Sequence, residues 1–258
     1  MYKRFLVFAL AVLTLFAACA GNEPQTQQVN LLIGAAASLT DVVQELAAVY
    51  EAENPHVSLN FTFASSGTLQ TQIEEGAPID IFMSAALAQM HNLEQQGLIH
   101  DQSKNLLKNA IALIVPSDSN LDITGFYDVT SPQVERIGLG DPASVPGGTR
   151  AQEIFISLGI EDEIYATGRA VLAHNIRTVL TWVEMGEVDA GVVFMTDAIT
   201  SDLVRIVEIA DSNLHAPSVN PVGIVAQSPH IAEAQHFIEF LFSDTAQVYF
   251  ERHGFLMY

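Results

Sequence analysis

From Val29 onward, apolar segments with β-branched content alternate with segments whose apolar residues recur at helical spacing, and this alternation restricts the chain to an α/β architecture. Residues 29–35 read as a strand, and across 38–50 Leu39, Val42, Val43, Leu46, Ala47 and Tyr50 fall on one helical face. Ser38 followed by Asp41 has the spacing of a capping box, which places the helix start. Asn54-Pro55 breaks the chain, and 57–63 alternates like a strand. The switch recurs: a helix over 69–75 closed by Gly76, strands over 79–83, 110–115 and 136–140, and a helix over 148–158 closed by Gly159. A helix through Ile176, Val179, Leu180 and Val183 ends at Gly186, strands follow at 190–194 and 222–226, and 231–253 is mostly helical. Such alternation predicts mostly parallel sheets with helices on both faces, and ligands at the carboxyl ends of the strands. No long linker divides the chain. If there are two lobes, they are joined by short strand-like crossings near 109–112 and 218–222.

The amino terminus gives the address. Lys3 and Arg4 precede an apolar run from Phe5 to Phe16, interrupted only by Thr14, and Ala17 and Ala18 lead to Cys19. Residues 1–18 therefore read as a secretory signal peptide, too short at its apolar core to span a bilayer. Cys19 is the single cysteine and cannot form an intramolecular disulfide. Phe-Ala-Ala-Cys resembles a bacterial lipobox, with Phe16 where leucine is usual, so Cys19 is the expected lipidation site. Residues 19–28 are polar and suit a flexible tether. The expected product is exported and anchored, on the outer face of a membrane or in a periplasm.

A formal charge of −20 argues against nucleic acid and against a basic membrane-binding patch. An acidic protein can still bind an anion, provided that neutral donors are aimed at it locally. Enzymatic signatures are missing. The eight histidines are scattered, no His-Glu-x-x-His or Gly-x-Ser-x-Gly occurs, and the glycines of 140–148 lack the Lys-Ser/Thr ending of a nucleotide loop.

Five strand-to-helix junctions carry small or hydroxyl residues: 35–40, 63–68, 140–149, 174–177 and 191–198. A helix start has unpaired N–H groups and the positive end of the dipole, and small residues let an anion approach it. Each junction taken alone is an ordinary N-cap. Arg150 and Arg177 read as surface ion pairs, and Asp80 and Asp141 as turn or cap residues bonding nearby backbone.

In order along the chain, AASLT (36–40), FASSGTL (63–69), QIEEGAPIDIFMSA (72–85), GDPASVPGG (140–148), GVVFMTDA (191–198) and AQVYFERHGF (246–255) resemble the molybdate-binding proteins of bacterial ABC importers. The resemblance implies a two-lobed periplasmic-binding-protein-like clamshell, with 29–109 and 220–258 as one lobe and 110–219 as the other. It implies a monomeric receptor for molybdate or tungstate that delivers to a membrane permease, with no cofactor and no catalytic residue. Ser38 and Ser66 match serines that donate through hydroxyl and backbone, and Gly147 and Ile176 match backbone donors. Phe194 falls where many members have a tyrosine that reaches the oxyanion. The lost hydrogen bond to a charged group is worth ~1.5–3 kcal/mol, unless a water or the Thr196 hydroxyl replaces it. Sulfate, another oxyanion or a small organic acid is the alternative cargo.

Overall fold

The computed structural model describes residues 28–258. The expected signal peptide, Cys19 and all of the expected tether but Gln28 lie outside the described residues. Every described strand and helix falls within 29–257.

Two sheets form two lobes. The first takes β1 (Val29–Ala36), β2 (Val57–Ala64), β3 (Ile81–Met83), β4 (Ile99–Asn109), β10 (Ser218–Val225) and β11 (Leu256–Met257), in the order β11-β4-β10-β3-β1-β2. The second takes β5 (Ile111–Pro116), β6 (Ile137–Gly140), β7 (Ala170–Ala173), β8 (Ala190–Phe194) and β9 (Val204–Ile209), in the order β7-β6-β8-β5-β9. The chain crosses between the lobes at Ala110, where β4 passes almost directly into β5, and returns between β9 and β10.

The sheets are mixed, which corrects the expectation of mostly parallel ones. β1 runs parallel to β2 and β3, and β6 to β7 and β8. β10 is antiparallel to β3 and β4, and β5 to β8 and β9. The parallel pairs are the strands joined through helices. The antiparallel ones involve β4, β5 and β10, the strands at the crossings, which enter each sheet against the direction of its βαβ units.

The helices are α1 (Thr40–Glu53), α2 (Ser66–Glu74), α3 (Leu87–Gln95), α4 (Pro146–Leu158), α5 (Glu161–Tyr165), α6 (Ile176–Glu184), α7 (Met195–Ala198), α8 (Ile231–Leu241) and α9 (Asp244–Arg252). α1 buries Val42, Val43, Leu46, Ala47 and Tyr50, the face that its spacing predicts. The carboxyl-terminal helical stretch is two helices: the chain breaks at Phe242, and the Ser243 hydroxyl accepts from the Ala246 N–H at 3.2 Å to start α9. α4 seats its first turn directly on the end of β6, because a Cβ on Gly148 would lie 2.0 Å from the Gly140 carbonyl oxygen. The carboxyl ends of β1, β2, β6, β7 and β8 thus feed helix starts that face the gap between the lobes.

Candidate functional site

All five junctions supply residues to one small cavity between the lobes. From the first lobe come Ala36, Ala37, Ser38, Ala64, Ser65, Ser66 and Ala85, and from the second Val145, Pro146, Ile176 and Phe194. It leaves about 10 Å³ for the centre of a water-sized sphere, room for about one water and far below the roughly 300–1,000 Å³ of sites for drug-sized ligands. No charged side chain is among its lining residues.

Ser38 lies in a 3-10 turn, Ala37–Leu39, between β1 and α1. The capping box read from Ser38 and Asp41 does not form: α1 starts at Thr40 with no side-chain cap, because the tight turn carries Ser38 away from the helix end. The Ser38 hydroxyl is buried and has no hydrogen-bond partner in the protein. At the second junction Ser65 is the N-cap of α2, accepting from the Thr68 N–H at 3.1 Å. Ser66 is the first residue of that helix, fully buried, and its hydroxyl oxygen accepts from the Ala85 N–H at 2.9 Å. That leaves the Ser66 O–H hydrogen as a donor.

On the facing lobe, Pro146 opens α4 and Gly147 follows it. Gly147 stands just behind the lining, where a Cβ would lie 2.7 Å from Ile176 Cδ1 and 3.5 Å from Phe194 Cε2. Ile176 opens α6, which Asn175 caps by accepting from the Thr178 N–H at 3.0 Å. Ser66, Gly147 and Ile176 sit in first helical turns, where backbone N–H groups have no intrahelical partner. Phe194 caps α7 with its ring buried in the wall. The Thr196 hydroxyl does not stand in for a missing tyrosine oxygen. It accepts from Asn109 Nδ2 at 2.8 Å and is not among the lining residues.

The lobes touch at the cavity rim, where the Gly67 N–H donates to the Ser144 carbonyl oxygen at 3.0 Å. The charged residues near the site are matched within the protein. Asp80 is a buried acceptor, as expected, but for distant groups: the Leu32 N–H at 2.8 Å and the Ser228 hydroxyl at 2.5 Å. Asp141 accepts from the Ala143 N–H at 3.0 Å, a turn bond as predicted. Arg150 pairs with Glu153 at 2.6 Å but is largely buried rather than exposed. Arg177 departs further from a surface pair. It contacts Asp41 of the opposite lobe and lies 2.6 Å from the carboxylate of Asp197, whose side chain is wholly buried. Burial raises the Asp197 carboxyl to about 6; Arg177 pulls against that rise and Asp41 adds to it. A larger open groove nearby is lined by Arg177, Arg252 and His253, but Glu45 pairs with both Arg252 and His253, so it offers no unmatched cation.

A family model described as bacterial extracellular solute-binding protein matches residues 31–256. The chain belongs to that family. A putative ABC transporter substrate-binding lipoprotein of Bacillus subtilis, YvgL, is 38% identical over 99% of this chain and 99% of its own length. The molybdate-binding protein ModA of Haemophilus influenzae is 36% identical over 88% of this chain and 89% of its own. The periplasmic molybdate-binding protein of Azotobacter vinelandii superposes with a TM-score of 0.80 over 88% of this chain and 98% of its own, at 20% identity, and shares the two-lobed fold. The resemblance drawn from the six sequence stretches is thus to true relatives. Extracellular solute-binding proteins carry a solute and do not transform it, so the chain is not an enzyme and needs no cofactor.

Sequence reasoning missed Ala85 as a lining residue. Its segment, Ser84-Ala85-Ala86, joins β3 to α3 and carries the small and hydroxyl residues of the other junctions, so the same signal could have found it; the fold then sets Ala85 against Ser66.

Proposed function

We propose that the chain captures molybdate or tungstate for an ABC importer, as an exported lipoprotein anchored through Cys19, and hands the anion to a membrane permease. One observation carries this reading: a small, neutral, two-sided cavity whose lining combines helix-start backbone with a buried, unpartnered Ser38 hydroxyl. An unpaired hydroxyl in a dry site costs stability. An oxyanion repays that cost by accepting from it. Ser38 and Ser66 donate from one lobe, and the backbones of Gly147 and Ile176 from the other. Neutral donors at helix starts stabilise a dianion without a counter-cation, which suits a chain of net charge −20. A cavity this small favours a single ion over an organic acid. In the monomer we assign 29–109 and 220–258 to one lobe and 110–219 to the other. The anion bridges the lobes and so stabilises the closed form over the open one.

Calorimetry on the chain from residue 20, titrated with molybdate, tungstate, sulfate and phosphate, tests the ligand. One-to-one binding of the first two alone is expected; binding of sulfate or phosphate alone would replace the ligand, and no binding would reject the reading. Cys19→Ala should move the full-length protein from the membrane to the soluble fraction, and retention at the membrane would reject the lipid anchor.

A further inference from the structure

Asp41 and Arg177 are 136 residues apart in sequence and lie on opposite lobes, yet their side chains meet in a direct ion pair. Each is tied to the cavity. Arg177 directly follows Ile176 in the first turn of α6, and Asp41 lies in the first turn of α1, immediately after the 3-10 turn that holds Ser38. The guanidinium has a second carboxylate on its own lobe. Asp197 Oδ1 lies 2.6 Å from Arg177 Nε, although neither Asp197 oxygen accepts a well-aligned hydrogen bond. The exposures of the three side chains differ in a telling way: Asp197 is 0% exposed, Arg177 27% and Asp41 41%. A buried carboxylate keeps its charge only while a cation stays beside it. Asp197 and Arg177 belong to one lobe and remain together whatever the cleft does. Asp41 arrives only when the lobes meet.

We propose that Arg177 is a positioning residue for anion capture, latching the closed lobes through Asp41 while Asp197 holds its guanidinium ready on the second lobe. The latch rests on the receptor reading above and adds a closure contact that does not touch the anion. It stabilises the closed form only, so it slows release and leaves the encounter of anion and open cleft unchanged. Gly67 and Ser144 make a second, uncharged contact between the lobes, so losing the latch weakens closure without abolishing it.

Asp41 is the member to change, because Arg177→Ala would strand the Asp197 charge and confound a folding defect with loss of the latch. On the chain from residue 20, Asp41→Asn is expected to release molybdate about threefold to tenfold faster, with an unaltered association rate, and Asp41→Glu to restore slow release. A wild-type release rate in Asp41→Asn, or an equal loss in Asp41→Glu, would overturn the latch. Should the wild type bind none of molybdate, tungstate, sulfate and phosphate, the receptor reading fails on its own. The latch is then judged in the ligand-free protein from spin labels placed one on each lobe, which a chain lacking its single cysteine accepts cleanly. Longer inter-lobe distances in Asp41→Asn than in wild type support it; superimposable distributions overturn it.

Discussion

Gly67 and Ser144 face each other across the lobes so closely that a Cβ on Gly67 would lie 2.6 Å from the Ser144 carbonyl oxygen and 2.8 Å from its Cα. Both obstacles are backbone, so no side-chain rotation relieves them. A methyl group at this position therefore opposes the closed approach and has no such neighbour once the lobes part. Gly67→Ala is expected to weaken anion binding by about tenfold or more. The ligand-free protein should melt within about 2 °C of wild type. Calorimetry and thermal unfolding on the same sample separate the two effects, and unchanged affinity would show that closure tolerates a wider gap here.

Ser38 and Ser66 predict different balances of stability and affinity. The Ser38 hydroxyl has no partner in the protein, so Ser38→Ala should leave the melting temperature unchanged or slightly raised while binding weakens. The Ser66 hydroxyl accepts from the Ala85 N–H, so Ser66→Ala should cost about 1–3 kcal/mol of stability in addition to the affinity loss. Denaturant unfolding without anion, set beside calorimetry with it, tests both. Wild-type affinity in the two variants would remove these serines from the site.

How far the sequence revealed the site follows from which signals are local. A helix start announces itself through small and hydroxyl residues beside a strand, and the five junctions singled out on that signal reach the cavity, as does a sixth at Ser84-Ala85-Ala86. What spacing alone does not specify is which of two adjacent serines caps the helix. Ser65 does, and that frees Ser66 to face Ala85. The strand β4 was not legible, because Ile99-His100-Asp101-Gln102-Ser103-Lys104-Asn105 is polar and its Asp101 adopts a positive φ of 52°. Only pairing with β10 makes this segment a strand. Arg177 was misread as a surface pair for a similar reason, since its partners Asp41 and Asp197 lie far from it in sequence and only the fold buries one of them.

The buried carboxyl of Asp197 has a pH signature opposite to that of most carboxylates. In the unfolded chain it titrates at the ordinary 3.8, and in the folded protein at about 6. Between those values the folded state holds the extra proton, so this residue's contribution to stability falls as pH rises through the window and grows as pH is lowered. Glu74 and Asp128, whose pKa values are lowered by hydrogen bonds, act in the other direction, so the total profile mixes both. Comparison with Asp197→Asn removes the common part. The stability of wild type relative to the variant should increase from pH 7 to pH 4.5, read by urea unfolding. A flat difference would mean that Asp197 titrates normally in the fold.

Phe194 offers the most direct test of the donor geometry. Its ring is buried in the cavity wall beside Gly147 and Ile176, at the position where the sequence resemblance implies a tyrosine. Phe194→Tyr adds one hydroxyl at the ring edge and alters nothing else. If that edge points at the anion, the new O–H supplies a charge-assisted hydrogen bond of about 1.5–3 kcal/mol. Part of this is offset by desolvating the hydroxyl, so the expected result is binding as tight as wild type or up to about tenfold tighter. In the ligand-free protein the same hydroxyl has no partner, and Phe194→Tyr should melt slightly below wild type, with saturating molybdate reversing the order. A tenfold loss of affinity would instead mean that the ring edge abuts protein rather than anion, and that Ser38, Ser66 and the helix-start backbones hold the ligand without help from position 194.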